Sequence, residues 1–110
     1  MRDPDAINDA ELLVLLAVAR LAEAYGVTVR KEIEEIGGRS LSITAVYAAL
    51  ERLEERGLLR ADMTRPTPER GGRRKRVYAL LPPGVEAMAR ARRGLERMWE
   101  GVSVPDPGPA

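Results

Sequence analysis

The chain has 110 residues, enough for one domain with a modest hydrophobic core, and it contains neither cysteine nor histidine. This composition excludes disulfides, thiol redox chemistry, zinc sites built from Cys or His, and imidazole general bases. The formal net charge of +1 conceals a strong partition, because residues 60–76 carry seven basic side chains against Asp62 and Glu69 while residues 1–59 are net acidic.

A first helix is predicted from Asn8 or Asp9 to about Ala24. Asn8 followed three residues later by Glu11 is the pattern of a capping box. The run from Leu12 to Ala19 is apolar on every side of the helix, so most of its circumference must be covered. A central core helix would meet this requirement. In so small a chain, however, we favour a helix that packs with one face on its own domain and with the other on a partner subunit.

The same apolar run is the longest in the chain, and its eight residues are too few to span a bilayer. It follows the acidic stretch from Asp3 to Glu11 instead of a basic segment, which argues against a signal peptide. We therefore expect a cytoplasmic protein without a membrane segment.

A second helix is predicted from about Val27 to Ile36. Val29, Ile33 and Ile36 mark its inner face, and Gly37-Gly38 is a typical helix end.

A third helix is predicted between the N-cap residue Ser42 and Gly57. Val46, Leu50 and Leu53 recur at helical spacing and form one apolar stripe. Three helices with short connections, of which the third is well capped after a tight turn, are the elements of a helix-turn-helix.

After Gly57 the pattern changes to that of a β-hairpin, or wing. Strands are predicted over Leu58 to Thr64 and Val77 to Leu80, with Arg73 to Arg76 leading into the second. The turn-forming stretch Arg65 to Gly72 separates them and makes a long basic tip. Because two strands alone are marginally stable, the hairpin must pack on the helices.

A last helix is predicted from Pro82-Pro83, since proline is tolerated in the first turn, to about Trp99 or Glu100. The predicted fold is thus mainly α with a small β-hairpin (α+β), a winged helix-turn-helix in the order α-α-α-β-β-α. The expected divisions are the winged helix-turn-helix domain over 9–80, the C-terminal helix over 82–100, and flexible tails at 1–8 and 101–110.

Catalysis has little support in the sequence. The carboxylates that could act as general acids or bases occur in runs on amphipathic helices, where a solvated charged face explains them: Glu32, Glu34, Glu35, Glu51, Glu54 and Glu55. Neither a phosphate-binding loop nor a dinucleotide fingerprint is present. We expect no enzyme activity, no metal site and no cofactor.

A basic cluster is the stronger signal: Arg70, Arg73, Arg74, Lys75 and Arg76 lie within seven residues. Such a run can be a solubilising edge of the hairpin. As a functional feature, it would lie along DNA phosphates and release counterions, or reach into a minor groove. Because side chains alternate along an extended chain, Arg73 and Lys75 face one side and Arg74 and Arg76 the other, so that only one pair can face DNA squarely.

The outward face of the third helix changes character along its length. Thr44 and Ala48 are small and uncharged, whereas Glu51 and Glu55 would repel phosphates if the whole helix lay in a groove. Entry by the N-terminal turn instead presents the positive end of the helix dipole and free N–H groups. The predicted DNA-facing residues of this helix are Ser42, Thr44, Tyr47 and Ala48.

Two sequence blocks carry a resemblance to a known family. Leu41-Ser-Ile-Thr-Ala-Val-Tyr47-Ala-Ala-Leu50-Glu-Arg-Leu53-Glu-Glu-Arg-Gly57-Leu58 and Gly71-Gly-Arg-Arg-Lys75-Arg-Val-Tyr78-Ala-Leu80, with Leu12 to Leu16 and Tyr25-Gly26-Val27, resemble the PadR-like transcriptional regulators. The resemblance covers about residues 10–100. It implies a homodimeric winged helix-turn-helix in which the last helix packs on the partner's first helix. It also implies binding to palindromic operators, usually as a repressor that small molecules or stress signals release.

Carried onto this chain, the resemblance implies DNA contacts by Ser42, Thr44, Tyr47, Arg73, Arg74 and Lys75. The chain departs from the family in having Leu81-Pro82-Pro83-Gly84 where a Thr-Glu-Ala-Gly type of sequence usually starts the last helix, so proline must set that start. With one C-terminal helix, it is similar to the short subgroup of the family.

The function predicted from these features is a homodimeric repressor that binds double-stranded DNA and responds to a small-molecule effector. One alternative is a winged-helix protein-interaction module without DNA binding. Another is a small-molecule carrier with a pocket at the dimer interface. Either a dimer seam or such a pocket would use the same residues: Leu12, Leu16, Met88, Leu95, Met98 and Trp99.

Overall fold

The computed structural model describes residues 6–64 and 74–105. Four helices and one pair of strands follow the predicted order: α1 (Asp9–Arg20), α2 (Gly26–Gly37), α3 (Ile43–Glu55), β1 (Leu59–Met63), β2 (Arg76–Leu80) and α4 (Pro82–Trp99). The strands pair antiparallel, with Leu59 opposite Leu80 and Met63 opposite Arg76. The predicted winged helix-turn-helix is confirmed. Within the described ranges, no helix combines the length and apolar character needed to cross a membrane.

Helix α1 begins as predicted but ends early. The side chain of Asn8 accepts a hydrogen bond from the backbone N–H of Glu11, and the Glu11 carboxylate accepts one from the N–H of Asn8, each at 2.8 Å. The predicted end at Ala24 is wrong, because the helix stops at Arg20. Ala24 instead forms an isolated β-bridge, in which its carbonyl accepts the N–H of Tyr78 at 2.8 Å.

Helix α2 ends as predicted, at a left-handed glycine. Gly38 has a φ of 65° and closes the helix. Val29 and Ile33 are buried, but Ile36 is 61% exposed, so its predicted place on the inner face is wrong. At the last turn of α2, Ile36 borders a surface groove beside Leu13 of α1 instead of entering the core.

Helix α3 is capped and buried as predicted. The Ser42 hydroxyl accepts the backbone N–H of Ala45 at 3.0 Å. Val46, Leu50 and Leu53 have no solvent exposure. Each such side chain contributes about 1.5–3 kcal/mol relative to its exposed state. The stripe therefore determines which face of α3 stays in solvent.

A buried carboxylate joins the start of α1 to the end of α3. Glu11, 5% exposed, accepts a hydrogen bond from Arg52 Nε at 3.2 Å, and its other oxygen lies 3.6 Å from Arg56 Nη1. Arg56 also donates to the carbonyl of Ala6 at 2.9 Å. The sequence pattern predicts only the capping role of Glu11, since Arg52 lies 41 residues away.

Helix α4 starts at proline, as predicted. Its N-cap Leu81 forms no side-chain capping bond, and proline occupies the first helical positions. Glycine follows because the backbones approach closely: a Cβ on Gly84 would collide with the carbonyl oxygen of Leu58 and lie 3.3 Å from its carbonyl carbon. The same carbonyl accepts the N–H of Leu81 at 3.1 Å. The direction of α4 is therefore set at this contact.

The rest of α4 makes little contact with its own domain. Of its 18 residues, only Gly84 and Ala87 are buried. Several of its apolar residues remain in solvent, with Leu95 52%, Met98 77% and Trp99 59% exposed, whereas Met88 is half-buried against the core. An exposed apolar side on an amphipathic helix is a candidate association surface.

Gly84→Ala should lower the free energy of unfolding by about 1–3 kcal/mol, because the new methyl group forces the first turn of α4 away from Leu58. Urea denaturation measures the change. Gly94→Ala is the matched control, since the nearest atom to a Cβ there is 4.0 Å away. The control should leave stability unchanged or raise it by up to about 1 kcal/mol. Equal stabilities of the two variants would contradict the close approach.

Candidate nucleic-acid interface

The first half of α3 presents an exposed, uncharged surface. Thr44, Tyr47 and Ala48 lie at i, i+3 and i+4 and so share one face of the helix. Ser42, Thr44 and Tyr47 are exposed, and Ala48 is half-buried. The first N–H groups of the helix have no hydrogen-bond acceptor within the helix, and the positive end of the helix dipole lies at the same end. The structure thus brings together the four residues that the sequence predicts for α3.

The second half of α3 is acidic, as predicted. Glu51 and Glu55 are exposed, and Glu54 is half-buried. Both carboxylate oxygens of Glu54 accept hydrogen bonds from Arg76 Nη2, at 2.6 and 2.7 Å. A surface groove between α3 and β2 is lined by these four side chains together with Tyr47 and Tyr78. Phosphates would be repelled from this half of the helix.

The structure separates the cations at the start of β2. Arg74 is exposed, whereas Lys75 is half-buried with its Nζ 3.8 Å from the centroid of the Tyr25 ring. Arg76 turns the other way, towards Glu54 on α3. Arg73 and the predicted tip Arg65 to Gly72 lie outside the described residues.

The ionisation of this region follows from its contacts. The hydrogen bond to Glu54, with the charge of that carboxylate, raises the pKa of Arg76 above its ordinary value. Burial, as the largest cause, raises the pKa of the Tyr78 hydroxyl. Arg76 therefore keeps its charge, but a carboxylate already neutralises it.

No sequence pattern predicts the part that the start of α2 plays beside this surface. Tyr25 receives the wing cation Lys75, and Gly26 is buried under the ring of Tyr47. The backbone N–H of Tyr25 donates to Thr28 Oγ1 at 3.0 Å, which holds the turn in place. The local signal for this contact is the glycine itself. Gly26 is the first residue of α2, directly after the N-cap Tyr25, and helix formation does not require glycine there.

The predicted dimer or effector residues converge on one groove. Leu12 and Leu16 of α1 line it together with Met88, Leu95 and Trp99 of α4, and its volume is about 730 Å³. The sixth predicted residue, Met98, is not among the lining residues. The groove is mostly apolar, with Arg92 and Glu96 at its edge, joined at 2.9 Å.

Known proteins are similar to this chain in sequence and in fold. The chain is 35% identical over 102 residues to an uncharacterized 37.1 kDa protein in transposon TN4556 of Streptomyces fradiae. The match covers 90% of this chain but 27% of that protein, so the chain spans about a quarter of the length of this relative.

Two solved structures have a similar fold. A transcriptional regulator from Clostridium thermocellum superposes with a TM-score of 0.69 at 20% identity, over 82% of this chain and 85% of that one. Bacillus subtilis PadR in complex with operator DNA superposes with a TM-score of 0.63 at 18% identity, over 94% and 52% respectively. The sequence profile described as the transcriptional regulator PadR-like family matches residues 14–90. The chain therefore belongs to the PadR-like family of transcriptional regulators.

Proposed function

We propose that the chain is a homodimeric repressor that binds a palindromic operator in the cytoplasm and is released by an effector. The observation that carries the proposal is the exposed, uncharged first half of α3 beside the basic start of β2. In this proposal residues 9–80 are the DNA-binding unit and 82–100 the dimerisation helix.

The recognition helix α3 would enter the major groove by its N-terminal turn. This orientation directs Ser42, Thr44 and Tyr47 to the DNA and keeps Glu51 and Glu55 away from the phosphates. Thr44 and Ala48 can contact a thymine methyl group, but neither makes a bidentate base contact. Direct readout is therefore sparse, and Arg73, Arg74 and Lys75 of the wing supply phosphate or minor-groove contacts.

The open apolar side of α4 supports the proposed homodimer. Leu12 and Leu16 of α1 continue that side into a single groove. An α4 from a second copy would supply a matching apolar stripe. An isologous pairing of this kind closes on itself. Two-fold symmetry would place the two α3 helices on half-sites about 10 bp apart, on one side of the duplex.

Release by an effector is supported by the same groove. Its volume of about 730 Å³ lies within the 300–1,000 Å³ typical of ligand sites, and its lining is mostly apolar. In a dimer, two such grooves would meet and leave a shared cavity between the α4 helices.

Replacing Arg73, Arg74 and Lys75 with glutamine should weaken binding to all DNA sequences. Each lost phosphate contact removes about 0.9 from the slope of log affinity against log salt concentration, so the slope should fall by up to about 2.7. Gel-shift titrations between 50 and 200 mM salt, with duplex DNA from upstream of the chain's own gene, measure it.

The matched control removes three exposed cations outside the wing, Lys31 on α2 and Arg90 and Arg93 on α4, and should leave the slope unchanged. No salt-dependent complex of the wild-type chain would instead favour a protein-interaction module. Equal slopes for both triple variants would show that the wing does not contact phosphates.

Leu95→Asp should shift the chain from dimer to monomer, because it puts a carboxylate in the apolar seam of the proposed interface. Sedimentation equilibrium over a range of protein concentrations measures the change. Met63→Asp is the control, since Met63 on β1 is 53% exposed and Leu95 is 52% exposed. A monomeric wild type, or a dimer that survives Leu95→Asp unchanged, would disprove this interface.

An effector that occupies the groove should change the emission of Trp99, the only tryptophan in the chain. A fluorescence screen of apolar small molecules detects such binding directly. Compounds that shift the emission should also dissociate the DNA complex in a gel shift. Compounds that bind at Trp99 without affecting the DNA complex would show that the groove is not an effector site.

A further inference from the structure

The ring of Tyr47 lies directly on Gly26. A Cβ at Gly26 would collide with the ring, 2.5 Å from its Cζ and 2.8 Å from its hydroxyl oxygen. The backbone does not require glycine here, since positive φ angles in the described residues occur at Gly38, Gly57 and Gly101. Gly26 is therefore needed for a close approach between α2 and α3.

The preceding residue, Tyr25, makes the corresponding contact with the wing. Its ring receives the ammonium group of Lys75 at 3.8 Å from the centroid, a cation–π contact. The Lys75 backbone is itself fixed, because its N–H donates to Thr64 Oγ1 at 2.8 Å. Two consecutive residues thus touch the two elements that carry the proposed DNA contacts.

The segment that carries this pair is held rigidly. The carbonyl of Ala24 accepts the N–H of Tyr78 on β2 at 2.8 Å, which ties the segment to the hairpin. Thr28 Oγ1 accepts the N–H of Tyr25 at 3.0 Å and also lies 3.0 Å from the carbonyl of Glu23. Because the turn is fixed, Tyr25 and Gly26 cannot move to accommodate a displacement of Tyr47 or Lys75.

We infer that the first turn of α2, at Tyr25 and Gly26, is a positioning element that holds the Tyr47 ring of the recognition helix and Lys75 of the wing in their DNA-facing positions. The inference rests on the proposed DNA-binding function. It assigns to Gly26 a role in placing Tyr47 against DNA. Because Tyr47 is 49% exposed, its ring can swing outward when a methyl group is added, so the fold survives but the DNA-facing surface changes.

Gly26→Ala tests the inference, with Gly37→Ala as the control in the same helix. At Gly37 a Cβ would meet only side-chain carbons of Leu13 and Ile33, at 3.9 and 4.0 Å. Binding is measured by gel shift with duplex DNA from upstream of the chain's own gene and with a random-sequence duplex of equal length.

Gly26→Ala should lower affinity for the upstream duplex at least about fivefold, the lower bound for losing one specific contact, with little change on random DNA. Its Tm should change by less than about 5 °C. Gly37→Ala should behave as the wild type in each measurement. A large loss of Tm in Gly26→Ala would overturn the inference, because Gly26 would then serve the fold.

A double-mutant cycle with Tyr47→Ala separates positioning from general damage. If Gly26 acts through the Tyr47 ring, adding Gly26→Ala to Tyr47→Ala causes no further loss of affinity. Additive losses, or unchanged binding by Gly26→Ala, would overturn the inference. Absence of any complex with the wild-type chain would instead count against the proposed function.

Tyr25→Leu tests the wing side of the same element. Leucine keeps apolar bulk but removes the ring face under Lys75. The Lys75 side chain is then no longer held in place before binding, so the cost of ordering it lowers the affinity for DNA. Affinity should fall about twofold or more on both duplexes, the lower bound for an exposed cation–π contact. Unchanged affinity on both duplexes would show that Tyr25 does not position the wing.

Discussion

The completely buried stripe of α3 is the constraint on which the DNA-facing surface depends. With Val46, Leu50 and Leu53 fixed in the core, the rotation of α3 about its axis has one setting. That setting turns Thr44 and Tyr47 to solvent at the start of the helix. The contact between Gly26 and the Tyr47 ring then affects where one side chain of that face lies, without changing the rotation of the helix.

The elements that follow from local chemistry could be predicted from the sequence. A capping residue, an apolar repeat or a proline acts within one or two turns. The start of α3 after Ser42 and the end of α2 at Gly38 therefore depend on neighbouring residues alone. The exposed face of α3 could be predicted for the same reason, because it is the complement of the buried stripe.

The rest depends on contacts between distant parts of the chain. Ala24 continues a helical pattern in the sequence, but in the structure it forms a β-bridge with Tyr78 of β2 and lies outside α1. Ile36 fits the inner face of α2, yet it lies at the last turn, where it is 61% exposed and borders a surface groove. At the site, Lys75 and Arg76 are neighbours of the same charge, and only the positions of Tyr25 and Glu54 separate them.

Charge counted along the chain therefore overstates the charge available to DNA. The seven basic residues over 60–76 include Arg76, which Glu54 neutralises, and Arg60, which lies 3.0 Å from Asp62. Exposed ion pairs of this kind add little to stability, typically about 0–1 kcal/mol. Their effect is on the charge that DNA meets, because Arg60 and Arg76 face carboxylates, whereas Lys75 lies over the Tyr25 ring and Arg74 is exposed.

The small number of buried residues in α4 affects how stable this helix is in the isolated chain. A helix that buries only Gly84 and Ala87 in its own domain gains little folding energy from that domain. In the proposed homodimer α4 would gain further stabilisation from association, which depends on concentration. The amount of chain in a cell would then set how fully α4 is ordered, so abundance itself becomes a control on the regulator.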